Sequence, residues 1–241
     1  MEILRLEETN STNTWLAEHS EGLSSPCLVY CDCQTSGRGQ RGNSWESAPG
    51  QNITASLLLR LQDFPACRQF EVSECIALSI VEFLNGFGIE AKIKWPNDIY
   101  VGNKKICGIL VEHQVMGSNL SRTIAGFGIN VNQTEFLSDA PNPVSMKLLT
   151  GENYNINELV SLLAEILQKN TLLIDSDTDV HGDFLNKLWR SDDRYYNYYD
   201  RKKDEHISCR IVDVARDGMI TLETLEGERR KYSFKEIEFI L

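Results

Sequence analysis

The sequence predicts an α/β fold of the α+β kind, with a small all-β unit at its C-terminal end. Three observations carry that prediction. Short apolar runs of strand type alternate with segments of helical period as far as residue 190. Composition then shifts at Ser191-Asp192-Asp193-Arg194. Beyond the shift, Ile207, Cys209 and Ile211 alternate, and Asp217-Gly218 and Glu226-Gly227 punctuate short strands, which describes a small barrel or sandwich. The division therefore falls at residues 1–190 and 191–241, the second part being too small to stand well without docking on the first.

Taken in order, Met1 to Leu6 alternates weakly as a strand, and the run Glu8 to Asn13 offers helix N-cap residues before Trp15-Leu16-Ala17. Ser11, Thr12 and Asn13 either cap that helix or converge on a small polar ligand. Cys27 to Cys33 reads as a strand, Gln34 to Trp45 as a polar, glycine-rich loop, and Ile53 to Leu59 as another strand. Val72, Ile76, Ile80, Phe83, Leu84 and Phe87 keep helical spacing across Phe70 to Phe87, with Gly86 and Gly88 as the stop. Arg122 to Val131 is a further strand, whose small residues Gly126 and Gly128 permit close approach of a ligand or mark a bulge. Gln133 to Pro143 reads as a second mobile loop. Asn155-x-x-Glu158 resembles a capping box for the helix carrying Leu159, Leu163, Ile166 and Leu167, and a last helix covers Phe184 to Trp189. Tyr195 to His206 reads as a linker.

The central stretch is Lys92 to Glu112, KIKWPNDIYVGNKKICGILVE. Ile106 to Val111 is the kind of apolar run that a strand buried on both faces requires. Lys94 and Lys105, flanking that run with Asp98 between them, have no packing reason to be there; a solvated hairpin tip is the plain alternative. In the glycine-rich loop, Gly37, Gly39 and Gly42 satisfy a dinucleotide-binding spacing, yet no helix opens within it, so that reading fails on context. Arg38 and Arg41 among these glycines fit a loop that folds around an anion, or an ordinary surface loop.

Bulk properties exclude several classes. The chain has 241 residues, 41% hydrophobic and 24% charged, with a formal charge of −11, so a general affinity for nucleic-acid phosphate is not expected. No secretory signal or membrane-spanning apolar run is present, and seven scattered cysteines suit a reduced, cytoplasmic protein. Cys27, Cys31 and Cys33 lack zinc-site spacing and read as packing.

Four elements, Ser11-Thr12-Asn13, the Gln34 to Gly42 loop, Lys94-Trp95-Pro96-Asn97-Asp98 and Lys105 to Glu112, together resemble the biotin protein ligases. The resemblance runs over essentially the whole chain. It implies a mixed-sheet catalytic domain related to class II aminoacyl-tRNA synthetases, followed by a small SH3-like barrel. It implies AMP-forming activation of biotin with ATP and Mg²⁺, then transfer of biotin to a lysine of a biotin carboxyl carrier protein domain. Because the chain starts almost at the first catalytic strand, no DNA-binding role is expected; a homodimer is compatible with the family.

The resemblance also assigns roles. Lys105, Arg38, Lys94 and Asp98 form the catalytic set. Ser11, Thr12, Asn13, Gln34, Arg38, Gly39, Gln40, Lys105 and Gly108 hold biotin. Gly37, Arg41, Gly42, Trp45 and Asn130 hold the adenylate, over which the glycine-rich loop is expected to order; no residue is assigned as a metal ligand. The departure is Gln40, where many members carry arginine, so Arg38 or Arg41 has to supply the charge. The competing classes are a lipoate or octanoate transferase on the same fold and a non-catalytic biotin sensor.

Overall fold

The computed structural model describes residues 1–138, 142–174 and 180–241, with Arg41 described for its backbone alone. The part of the second loop at 139–141 and the Arg41 side chain thus lie outside the described residues. Strands β1 (Glu2–Thr9), β2 (Cys27–Gln34), β3 (Ile53–Leu59), β4 (Lys92–Lys94), β5 (Asp98–Val101), β6 (Lys104–Met116) and β7 (Asn119–Ile129) form one sheet, in the order β1-β2-β3-β7-β6-β5-β4. Only β1 and β2 pair in parallel, through helix α1 (Thr12–His19); the other neighbours are antiparallel, so the sheet is mixed as expected.

Helices α2 (Gln69–Asn85), α4 (Ile156–Thr171) and α5 (Val180–Lys187) supply the main core, while the short α3 (Met146–Thr150) follows the second loop. Ile76, Ile80 and Leu84 on α2 and Leu163 and Leu167 on α4 are fully buried, on the faces their helical spacing places inward. Strand β3 is buried along its whole length, and its two polar residues are satisfied there, Thr54 donating to the Cys31 carbonyl and Ser56 to Asn13. Asn155 caps α4 by accepting from the Asn157 N–H, and its amide donates to Glu158, so the capping signal is realised through side chains. The last helix ends at Lys187, two residues before Trp189, because Leu188 bridges to Ile93 and the Trp189 N–H donates to the Ile93 carbonyl.

Strands β8 (Tyr196–Asp200), β9 (Glu205–Val214), β10 (Ile220–Thr224), β11 (Arg229–Tyr232) and β12 (Ile237–Phe239) make an antiparallel sheet, ordered β11-β10-β9-β8-β12, consistent with an SH3-like unit. The linker reading of Tyr195 to His206 is therefore wrong. Tyr198 is fully buried in β8, and buried Asp200 accepts from the Tyr232 hydroxyl and the Lys202 and Lys203 N–H groups, so a carboxylate occupies an inward strand position. This sheet docks on the central stretch: the Trp95 indole donates to the Gly218 carbonyl at 2.9 Å and meets Phe234 edge-on. No described helix is long and apolar enough to cross a membrane. All seven cysteines are free thiols; Cys27 and Cys31 are buried in β2, and burial pushes Cys75 up to about 12.

Candidate active site

Parallel pairing of β1 with β2 sets Thr9 beside Gln34, and the chain then turns into α1, so Ser11, Thr12 and Asn13 arrive next to the Gln34 amide. The Thr12 N–H donates to Gln34 Oε1 at 2.8 Å. Thr12 Oγ1 lies 2.6 Å from Ser56 Oγ, which in turn donates to Asn13 Oδ1 at 2.6 Å. Each hydroxyl has one proton, so the chain runs from Thr12 to Ser56 to Asn13. The Asn13 amide then donates to Glu112 at 2.8 Å and to the Leu110 carbonyl at 3.2 Å. The Ser11 side chain caps no helix N–H and lines the cavity above this network. Ser11, Thr12, Asn13 and Ser56 are buried, while Gln34 and Glu112 are partly exposed at the edges of the network.

The second cluster comes from the strand ladder. Lys94 pairs with Asp98 across β4 and β5, and Asp98 with Gly108 across β5 and β6. Lys105 reaches Asp98 at 2.7 Å, while Lys94 stands 3.9 Å from the other carboxylate oxygen. Lys94 also lies 5.1 Å from the ring centroids of Tyr100 and Phe239. Burial pulls the Lys94 pKa down; Asp98 opposes this, and the charge on Lys105 reinforces it. Two cations held by one carboxylate leave an excess of positive charge facing the cavity.

The glycine-rich loop closes on itself. Arg38 bridges to Ser44, the Gly39 N–H donates to the Asn43 carbonyl, and the Trp45 N–H donates to the Gly37 carbonyl. Trp45 then lies across the hairpin β6–β7. A Cβ on Gly128 would come within 2.2 Å of its indole and one on Gly108 within 2.9 Å, so both positions require glycine for this approach. The Trp45 Nε1 is buried against Gly128 with no acceptor among the described residues, and 5.6 Å separates its ring centroid from Lys105 Nζ. Arg38 pairs with Glu112 at 2.7 Å, which joins the loop to the floor through Asn13. At the loop's far end Glu46 accepts from the Leu137 and Ser138 N–H groups and from Gln133. Burial works against its charge, but these hydrogen bonds outweigh it and hold the carboxyl below its ordinary value.

All of this opens on one cavity of about 810 Å³. It brings together every residue assigned from the sequence except Gly37, which supports Trp45 from outside the lining, and Arg41, whose side chain is not described. Asn130 lines it while donating to the Val144 carbonyl at 3.0 Å. Gly126, read as a place for a ligand to approach, is approached by the protein itself: a Cβ there would lie 2.1 Å from Asn13 Oδ1. Sequence reasoning missed Ser56 and Glu112 in the polar network and the presence of Lys235 in the cavity lining. Glu112 gave a signal, a lone charge ending an apolar strand; Ser56 in β3 and Lys235 in the second sheet gave none.

The sequence model of the biotin/lipoate A/B protein ligase family matches residues 5–130. The "Bifunctional ligase/repressor BirA" of Bacillus spizizenii is 31% identical over 218 residues, covering 86% of this chain and 64% of the relative, so the chain spans under two thirds of that protein's length. The "Biotin--[acetyl-CoA-carboxylase] ligase" of Paracoccus denitrificans is 32% identical over 172 residues, covering 66% of this chain and 68% of the relative. Among solved structures, the biotin protein ligase of Aquifex aeolicus in complex with biotin and ATP superposes with a TM-score of 0.80 at 24% identity, covering 99% of this chain and 98% of that one. That last likeness establishes the fold. The match over more than half of the sequence, together with the Paracoccus relative, places the chain in the biotin/lipoate A/B protein ligase family.

Proposed function

We propose that this chain is a biotin protein ligase, which activates biotin with ATP to biotinyl-5′-adenylate and transfers the biotinyl group to a lysine of a biotin carrier domain. One observation carries the reading: a buried, directional polar floor and a cationic cluster open on the same cavity. A ureido ring offers two N–H donors and a carbonyl acceptor, and Ser11, Thr12 and Gln34 supply matching groups. A ligand lacking those groups leaves the floor unpaired, which is the basis of rejection. The family as such spans biotin and lipoate substrates, so the floor decides between them: a dithiolane or alkyl chain calls for an apolar wall.

In the first step the biotin carboxylate meets the α-phosphate at Lys105, with Lys94 adding charge and Asp98 holding both ammonium groups in place. Mg²⁺ would arrive on the triphosphate and supply further neutralisation there. The cavity carboxylates are already engaged, Asp98 with Lys105 and Glu46 with Leu137, Ser138 and Gln133, which favours phosphate oxygens as the ion's main ligands. Arg38, Gly39, Gln40 and the Arg41 and Gly42 backbone cover the reacting centre, with Trp45 and Asn130 on the adenylate side. Closure of this loop keeps water from a reactive mixed anhydride. In the second step the carrier lysine amine attacks the acyl carbon and AMP leaves. We assign catalysis to residues 1–190 and the docked sheet to 191–241.

The reading is tested by exchange of labelled pyrophosphate into ATP with biotin, lipoate or octanoate as the acid. Exchange is expected with biotin alone; exchange with lipoate and not biotin overturns the assignment, and exchange with no acid favours a sensor.

Lys94 gives a pH signature. Its pKa is depressed below the ordinary lysine value of 10.5 by burial, so its charge is lost earlier than that of a free lysine as pH rises. Adenylation is expected to fall across that alkaline window. In the same window the unfolded chain binds more protons at this group than the folded one, so its contribution to stability rises with pH. Activity and stability thus move in opposite directions, and Lys94→Arg is expected to shift the activity limb upward. A limb unmoved by that substitution shows that another group controls it.

A further inference from the structure

Strand β6 sets Gly108, Leu110 and Glu112 in one row on the same face of the sheet. Gly108 and Leu110 line the cavity, and Glu112 stands next in the row, outside that lining. It is not placed to touch a ligand, yet it joins the two parts of the protein that enclose one. On the floor side, Glu112 Oε2 accepts from the Asn13 amide at 2.8 Å. On the loop side, Arg38 Nη2 donates to Glu112 Oε1 at 2.7 Å and Nη1 to Oε2 at 3.3 Å, with Thr14 Oγ1 a longer contact at 3.4 Å.

The residue type matters at this junction. The Leu110 carbonyl and the Glu112 carboxylate accept only, so Asn13 turns its amide nitrogen toward both and its Oδ1 toward Ser56. That orientation makes Ser56 a donor to Asn13 and an acceptor from Thr12, which sets the direction of the whole floor. Glu112 Oε2 is shared by Asn13 and Arg38, so a displacement of Asn13 is felt by Arg38 through a single oxygen. Global stability does not account for the ion pair: its side chains are 46% and 39% exposed, where solvent leaves such a pair little net effect. Position does account for it. Arg38 bridges to Ser44 and Gly39 donates to Asn43, so the turn of the glycine-rich loop is anchored to the sheet through this guanidinium. Among the described residues, Glu112 is the partner that Asn13 and Arg38 have in common.

We propose, resting on the biotin ligase reading above, that Glu112 is a positioning residue that couples the floor to the loop: its carboxylate holds the glycine-rich loop closed, through Arg38, only while Asn13 keeps its ligand-matching orientation. A ligand that pairs the floor correctly leaves Asn13 on Glu112 and the loop shut. One that draws Asn13 away loosens the loop as well, so a mismatch at the ureido end is felt at the acyl phosphate.

Glu112→Gln keeps an acceptor for Asn13 but turns an amide donor toward Arg38 Nη2. Preformed biotinyl-5′-adenylate should leave this variant about three- to tenfold faster than the wild type, the size of one lost charge-assisted contact, with the urea midpoint close to the wild-type value. The coupling itself is read from a double-mutant cycle on the KM for biotin in pyrophosphate exchange. Asn13→Ala combined with Arg38→Ala should cost at least about threefold less than the product of the single effects, and in a Glu112→Ala background the two effects should multiply to within about twofold. Multiplying effects in the presence of Glu112, coupling that survives its removal, or an unchanged escape rate in Glu112→Gln each overturn the proposal. So does a urea midpoint that falls in step with every activity, which marks a structural role. A wild-type chain with no biotin-dependent exchange overturns the ligase reading instead.

Discussion

Lys105→Ala is expected to lower biotin-dependent adenylation by about 10²–10³, the effect of removing one preorganised electrostatic donor from a site that excludes water. On the scale of about 1.4 kcal/mol per decade this corresponds to roughly 3–4 kcal/mol of transition-state stabilisation. The geometry explains why the loss is large. Lys105 Nζ sits 2.7 Å from Asp98, and the substitution leaves that carboxylate facing Lys94 alone at 3.9 Å, so the excess of positive charge in the cluster disappears. A Cβ on Gly108 would lie 3.3 Å from the same nitrogen, so glycine there lets the ammonium lie close over the strand backbone beside Trp45. Lys104→Ala serves as the control. Its side chain is exposed at the start of the same strand, and exchange should stay within about twofold of the wild type. Equal rates for Lys105→Ala and wild type would show that the charge is placed on the wrong residue.

Gly126→Ala should damage the floor rather than the charge cluster. Gly126 pairs with Ser56 on one side and Leu110 on the other, in the middle of the sheet, so its backbone has little room to yield. The added methyl meets Asn13 Oδ1 at 2.1 Å, and Asn13 is the part that must leave. Its departure breaks the bond from Ser56 and those to Leu110 and Glu112, leaving buried polar groups unpaired. At about 1–3 kcal/mol for such a loss, biotin affinity measured by calorimetry should fall about 10- to 100-fold, with a stability decrease of similar size in urea. The two sites are coupled, so Gly126→Ala should cost much less in an Asn13→Ala background than in the wild type. Additive effects would mean that the glycine matters for some other reason.

Much of this site was legible because its residues are chemically out of place. Lys94 and Lys105 beside a buried strand have no packing reason to be there, while the hydroxyl and amide groups ahead of a helix, which also suit capping, and the arginines among glycines gained meaning only beside those lysines. Ser56 was invisible for the converse reason: a small hydroxyl in a fully buried strand is compatible with any core, and its role depends on Thr12 and Asn13 arriving from elsewhere. Lys235 was invisible because nothing local says that its turn lies over Lys94. The strands were mostly found, but the order β1-β2-β3-β7-β6-β5-β4 rests on non-local pairings that no local pattern encodes. Strand β8 was lost because its inward positions are Tyr198 and Asp200, one carrying a polar tip and the other a buried charge, so the usual apolar alternation is absent.

In the proposed reaction one cavity reads a ureido ring at its floor and activates the attached carboxylate at Lys105. A crystal structure with biotinyl-5′-adenylate tests it most directly. The ureido oxygen and nitrogens are expected within about 2.7–3.2 Å of partners among Ser11, Thr12 and Gln34, with the acyl phosphate beside Lys105. A ureido ring seated against Trp45 or Asn130, with the acyl phosphate away from Lys105, would contradict it.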